Sequence, residues 1–201
     1  MHRQFGTQSL KGFGVQDMNF GIIASGAILQ YLDLTQHTST GHISRLSRIE
    51  QDHYMWLDRF TIRNLEIFQS LYEGARTLVE VMDRTLTPMG SRLLKRWLAM
   101  PLKDVLLIRE RHHMVAHMLE EEEFRAFLSS QISKIGDLER IASKVAVGRI
   151  SPRELVQLKI ALEAINPLKE ACDQSGEPAL RRLASQLDPC DDVRERIDRE
   201  L

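Results

Sequence analysis

Charge of one sign is the first thing this 201-residue sequence lacks: Lys plus Arg is 27, Asp plus Glu is 28, and the formal net charge is −1. A dedicated nucleic-acid clamp carries a strong basic excess, so the balance argues against that class. Aromatic residues make up only 6%, too few for a platform on which single strands stack. The two cysteines, Cys172 and Cys190, form no Cys-x-x-Cys pair, and a reduced, cytoplasmic setting is the simplest reading. No apolar run reaches the length of a membrane span, and no charged-then-apolar signal opens the chain.

What the chain does have is 43% hydrophobic residues and a series of carefully written helix starts. Thr87 can cap a helix and Pro88 suits its first position, where no backbone N–H is needed. Met89, Leu93, Leu94, Trp97, Leu98 and Met100 then recur at helical spacing, and Pro101 stops the run. Arg92, Lys95 and Arg96 form a basic edge, which reads as a solvated face; contact with phosphate would need a larger basic field. Ser151-Pro152-Arg153-Glu154 is the clearest start, with a capping serine, proline at the first position and a capping-box glutamate. The stripe behind it runs from Leu155 towards Ala171, and Pro167 inside it predicts a kink or early end. Unbroken, Pro152–Ala171 would span about 30 Å.

Elsewhere the pattern is also helical. Met18 to Leu34 is apolar and small, as in a helix packed on more than one side. The polar stretch Thr35–His42 is the best candidate boundary between two units, and Ile43–Leu57 leans towards extended chain. Asp58 is an expected N-cap for an apolar face of Ile62, Leu65, Phe68 and Leu71 that ends at Gly74. Thr77–Met82 is a short helical turn. Asp104 starts a helix with Ile108, Val115, Met118 and Leu119 inward. Ile135, Leu138, Ile141 and Val145 form one stripe ending near Gly148. Leu180, Leu183 and Leu187 form a short helix, and Asp188-Pro189 starts the last one. Its stripe of Val193 and Ile197 breaks off at Leu201 without a cap, which reads as a piece of a longer protein.

Chemistry is scarce. The Gly-rich stretch Gly6–Gly14 lacks the GxxxxGK[ST] order of a phosphate loop. His113 and His117 share a helix face without further ligands or an HExxH arrangement, so they read as surface or packing residues. The acidic run Glu120–Glu123 reads as a solvated helix end, because consecutive residues on a helix do not converge. No Ser–His–Asp or Gly-x-Ser-x-Gly pattern stands out. No catalytic, cofactor-binding or metal-binding residue is assigned, and the chain itself is not expected to be an enzyme.

Three stretches occur in order: "LDRFTIRNLEIF", "TLTPMGSRLLKRWLAMPL" and "IGDLERIASKVAVGRISPRELVQL". Together they resemble the core, or lever, domain of the MutS family of DNA mismatch-repair ATPases. "FGTQSLKGFG" with "GIIASGAILQYLDLTQ" resembles the end of the connector domain that precedes it. The details are similar to the bacterial mismatch-recognition branch. The resemblance implies a mainly α fold: residues 1–36 as the end of the connector domain with its helix, 37–57 as a short extended connecting segment, and 58–201 as the first part of a multi-helix core domain. The last helix would approach the DNA clamp. It implies a structural and coupling role between ATPase and clamp. No cofactor is expected in this part, and ATP and magnesium belong to the parent protein. Mismatched double-stranded DNA, a MutL-type partner and a homodimeric parent are further implications. A self-contained helical interaction scaffold with no DNA role is the alternative. Asn64 and Glu66 of "RNLE" read either as core structure or as a polar pair reporting on a domain interface.

Overall fold

The computed structural model describes residues 1–35, 40–41, 43–48 and 53–201. These form two compact units, residues 1–50 with 140–150 and residues 51–139 with 151–201. The described residues form helices and turns, with no β-sheet beyond one isolated bridge. The expected boundary at Thr35–His42 falls mostly on residues outside this set.

In the first unit, α1 (His2–Phe5) ends on Gly6 in the left-handed conformation. Gln4 then reaches along the chain, its Nε2 donating to the carbonyls of Thr40 at 2.7 Å and Ile43 at 3.1 Å. A 3-10 turn, Lys11–Phe13, sets Phe13 against Phe5 with ring centroids 5.1 Å apart. Leu10 and Val15 are buried. Helix α2 (Asn19–Leu34) forms as its apolar run predicts, but none of its side chains is buried. Phe20 is 88% exposed, and Ile23 and Tyr31 are exposed too. The expectation of a helix packed on more than one side is therefore not met among the described residues.

In the second unit the described chain starts at His53. Tyr54 pairs antiparallel with Leu102, through Met55 N–H to the Pro101 carbonyl at 2.7 Å and Lys103 N–H to the His53 carbonyl at 3.1 Å. Asp58 caps α3 (Arg59–Asn64), accepting from Thr61 N–H at 2.6 Å. The sequence carries that helix on to Gly74, but it ends ten residues earlier because Glu66 turns left-handed, at φ 47°. The apolar spacing of Ile62, Leu65, Phe68 and Leu71 is thus shared between a helix and a loop. Thr77 starts α4 (Leu78–Met82) with a complete capping box to Glu80. Helix α5 (Pro88–Ala99) has the expected Thr87 cap and first-position proline.

Asp104 caps α6 (Val105–Glu120) by accepting from the Leu106 and Leu107 amides. Helix α7 (Glu122–Ile135) follows after Glu121. Gly136, at φ +67°, then separates it from α8 (Leu138–Ala146), so the single stripe expected from Ile135 to Val145 is split between two helices. The division between the two units falls inside α8.

Ser151 and Glu154 close the expected capping box on α9 (Pro152–Glu163). This helix ends at Ala164, and α10 (Ile165–Gln174) starts afresh. The break has a local cause. Pro167 has no N–H to offer the Glu163 carbonyl four residues back, and its ring crowds that carbonyl. Helix α11 (Pro178–Gln186) is capped by Glu177. Helix α12 (Asp191–Glu200) starts two residues later than Asp188-Pro189 suggests, after Cys190 in the left-handed region, where Asp188 accepts from Cys190 N–H at 2.9 Å.

One core cluster joins Leu128 of α7, Leu168 and Cys172 of α10, and Leu180 and Ala184 of α11, with Met114 and Met118 of α6 packed against it. The inward pair on α6 is therefore Met114 and Met118, while Val115 and Leu119 are exposed. Helices α9 and α12 lie together, with Ala161 fully covered and Ile197 buried. Polar ties cross these seams. Glu110 of α6 meets Arg182 of α11 at 2.5 Å, Lys169 of α10 donates to the Leu187 carbonyl at 2.9 Å, and Lys159 of α9 bonds Asp198 of α12.

Candidate functional site

A dense polar construction in the second unit surrounds α5. It starts at Asp83, whose Oδ1 accepts from Thr85 N–H at 3.1 Å and the Thr85 hydroxyl at 2.6 Å, while Oδ2 accepts from the Ser91 hydroxyl at 2.6 Å. Hydrogen bonds to the charged form favour it. The bond from Ser91, then those from Thr85, hold the Asp83 carboxyl well below its usual range, at about 2. The carboxylate thereby folds the approach to α5 back onto the helix. Thr87 caps the helix by accepting from Gly90 N–H at 3.1 Å. Gly90 has no room to spare: a Cβ there would lie 3.2 Å from Thr85 Cβ and 3.3 Å from Thr87 Oγ1.

Two residues on, Arg92 faces the corner between α7 and α8. Its Nη1 and Nη2 donate to both oxygens of Asp137 at 3.0 and 2.7 Å. Its Nε and Nη2 donate to Glu139 Oε2 at 2.9 and 2.5 Å. The flat guanidinium fork suits two carboxylates at once, where an ammonium would not. Asp137 first, and then Glu139, raise the Arg92 pKa above its ordinary value. Further along α5, Trp97 is covered by the Arg111 guanidinium of α6, 3.6 Å from the ring centroid. Thus α5 is held at its start by Asp83, at its second turn by Arg92 and at its last by Trp97. The side chains turned inward are Met89, Leu94 and Leu98, whereas Leu93 and Trp97 of the expected stripe are exposed.

What this arrangement does chemically is fix geometry. Asp83, Arg92, Asp137 and Glu139 are each engaged by hydrogen bonds. The expected solvated basic edge loses Arg92 to Asp137 and Glu139, and Lys95 lies close enough to Asp83 to help lower its pKa. His113 and His117 do not come together with acids or cysteines into a metal-binding cluster among the described residues. The His117 ring packs against Phe124 with centroids 5.6 Å apart, and its Nε2 is buried without a partner. Burial raises the Cys172 pKa; burial and then the neighbouring Asp188 and Asp191 raise that of Cys190. Neither thiol is set up as a thiolate. No helix among the described residues is long and apolar enough to cross a membrane.

Sequence reasoning placed Thr87, Pro88 and Arg92 on α5 but did not pair Arg92 with anything. Its partners are forty-five and forty-seven residues away. A signal was present, since both lie in the quoted stretch "IGDLER". The Thr77–Glu80 capping box was readable from its spacing and was also missed.

Comparison with known proteins gives two family matches along the chain. Residues 60–201 match the family model described as MutS domain III, and residues 1–44 match MutS domain II. The chain is 53% identical over 199 residues to a protein named DNA mismatch repair protein MutS from Bacteroides fragilis (strain YCH46), covering 99% of the chain and 23% of that relative. A protein of the same name from Parabacteroides distasonis is 55% identical over 199 residues, with the same coverage. One from Porphyromonas gingivalis (strain ATCC BAA-308 / W83) is 44% identical, with 99% of the chain and 22% of the relative covered. The chain spans about a quarter of the length of the curated relatives it matches. With most of its length in domain III and its start in domain II, this chain belongs to the MutS family.

Proposed function

We propose that the chain is the connector-end and first core portion of a longer DNA mismatch-recognition ATPase. In this reading it couples an ATPase domain to a DNA clamp, both lying outside residues 1–201. This portion contributes no catalytic group; ATP and magnesium act elsewhere in the parent. Mismatched duplex DNA and a MutL-type repair partner are met through that parent, which acts as a homodimer in the cytoplasm. The boundaries follow the sequence reading, with the connector ending near residue 36 and the core starting near residue 58.

One observation carries the coupling role. Arg92 grips Asp137 and Glu139 together, so a displacement of α5 is passed to the α7–α8 corner instead of being absorbed by a soft contact. Packed elements joined in this way can move as one body between two arrangements. The test is Arg92→Gln in the full-length protein. Basal ATP hydrolysis and mismatch binding should stay largely unchanged, while the effect of mismatched DNA on nucleotide turnover falls about fivefold or more, within the usual range of coupling energies. Thermal melting of the variant controls for unfolding. A folded variant with normal mismatch-dependent turnover would refute the role.

A further inference from the structure

The second unit contains a cleft for which the coupling role has no use. Arg59, Phe60 and Arg63 of α3 form one wall and Phe68 to Leu71 the other, around a volume of about 580 Å³. Its second wall is held in a strained form. Glu66 stands at the turn between the walls with φ 47°, a region that costs a residue with a Cβ free energy and that persists only when its surroundings impose it. Here its own carboxylate does so. Oε2 accepts from the Ser70 hydroxyl at 3.2 Å and Oε1 from Leu71 N–H at 3.3 Å. Behind it, Leu78 N–H donates to the Glu66 carbonyl at 3.0 Å and Val79 N–H to the Ile67 carbonyl at 3.1 Å. Glu66 therefore positions the cleft wall.

The lining is of two kinds. Phe60 is 73% exposed and Leu71 half exposed, so apolar surface is left open. Arg59 and Arg63 are one helical turn apart and share a face. Among the described residues neither meets a carboxylate, whereas Arg92, Arg125, Arg182 and Arg194 each do, and Arg111 covers Trp97. Two guanidiniums without a carboxylate partner among the described residues, beside open apolar surface, are complementary to carboxylates flanked by apolar side chains. The polypeptide has ample length to supply such a segment, because the matched relatives extend far beyond the 23% that this chain covers.

We propose that this cleft docks an acidic, apolar-flanked segment of the same polypeptide from outside residues 1–201. The inference rests on the longer-protein part of the proposed function, not on coupling. The test replaces Phe60 in the full-length protein with the photocrosslinker p-benzoylphenylalanine and maps the products by peptide mass spectrometry. The expected product is an intramolecular cross-link to a peptide outside residues 1–201 that carries Asp or Glu beside apolar residues. The cross-linked fraction should fall about fivefold when Arg59→Glu and Arg63→Glu are combined, as loss of two exposed ion pairs would give. Arg59→Lys with Arg63→Lys should keep most of it. Cross-links confined to residues 1–201, to a second copy or to added duplex overturn the proposal, as does the absence of any product. An unchanged fraction in the charge-reversed variant also overturns it. If that variant does not fold, the Phe60 map alone decides. The readout uses no nucleotide turnover, so a failure of the Arg92 experiment leaves it standing.

Discussion

Two effects of opposite sign meet at Gly90. Replacing a helical glycine by alanine ordinarily stabilises by about 1 kcal/mol. Here the new Cβ would press on Thr85 and Thr87. Thr85 is not free to retreat, because its hydroxyl is bonded to Asp83 at 2.6 Å. Overpacking of this kind costs about 1–3 kcal/mol, so Gly90→Ala should lower stability by about 1 kcal/mol in urea unfolding. A gain would mean that the Asp83–Thr85 turn yields. Asp83 itself sets an acid limit. Its folded pKa lies below the ordinary 3.8, at about 2, so its contribution to stability is complete above 3.8 and is lost as pH falls towards 2. Asp83→Asn should lower the unfolding midpoint at neutral pH and flatten its dependence between about pH 4 and 2. An unchanged acid profile would show that the carboxylate adds nothing to folding.

At the scale of elements, α11 separates pattern from position. Leu180 and Leu183 belong to one apolar stripe in the sequence, yet Leu180 is 4% exposed in the core and Leu183 is 48% exposed. Leu180→Ala should cost about 3 kcal/mol, the usual price of a buried leucine. Leu183→Ala should cost under about 1 kcal/mol. Equal losses in chemical unfolding would contradict this packing. The α9–α10 break matters in the same way. A straight lever over Pro152–Ala171 is not what the chain builds. It makes two shorter helices meeting at Ala164, whose buried neighbours Ala161, Leu162, Ile165 and Leu168 lie on both sides of the joint. The joint is held by packing, not by a continuous backbone ladder.

For the whole molecule, charge is the governing quantity. The net charge is −1, and several arginines are already engaged with carboxylates inside the second unit. The 201-residue chain alone should bind duplex DNA weakly at most, without preference for a mismatch. Any residual binding should fade steeply with salt, because phosphate contacts release counterions. Fluorescence anisotropy with paired and mismatched duplexes at two salt concentrations checks this. A salt-resistant preference for the mismatch would require a recognition surface on these two units.

The sequence by itself determined where helices begin. Caps such as Asp58, Thr87, Asp104 and Ser151 act within three or four residues, so their chemistry is complete in the local text. It also carried the family, through motifs that lie in order along the chain. Only the tertiary structure decided which member of a stripe is buried, as with Met114 and Met118 over Val115 and Leu119, because a helix shows its periodicity without saying which side a neighbour will cover. It also decided that Arg92 belongs to Asp137 and Glu139, a contact across more than forty residues that no local spacing encodes. The left-handed turn at Glu66 is of the same kind. Helical spacing runs straight through it, and the carboxylate bonds and the strap from Leu78 and Val79 that hold it exist only once the chain has folded back.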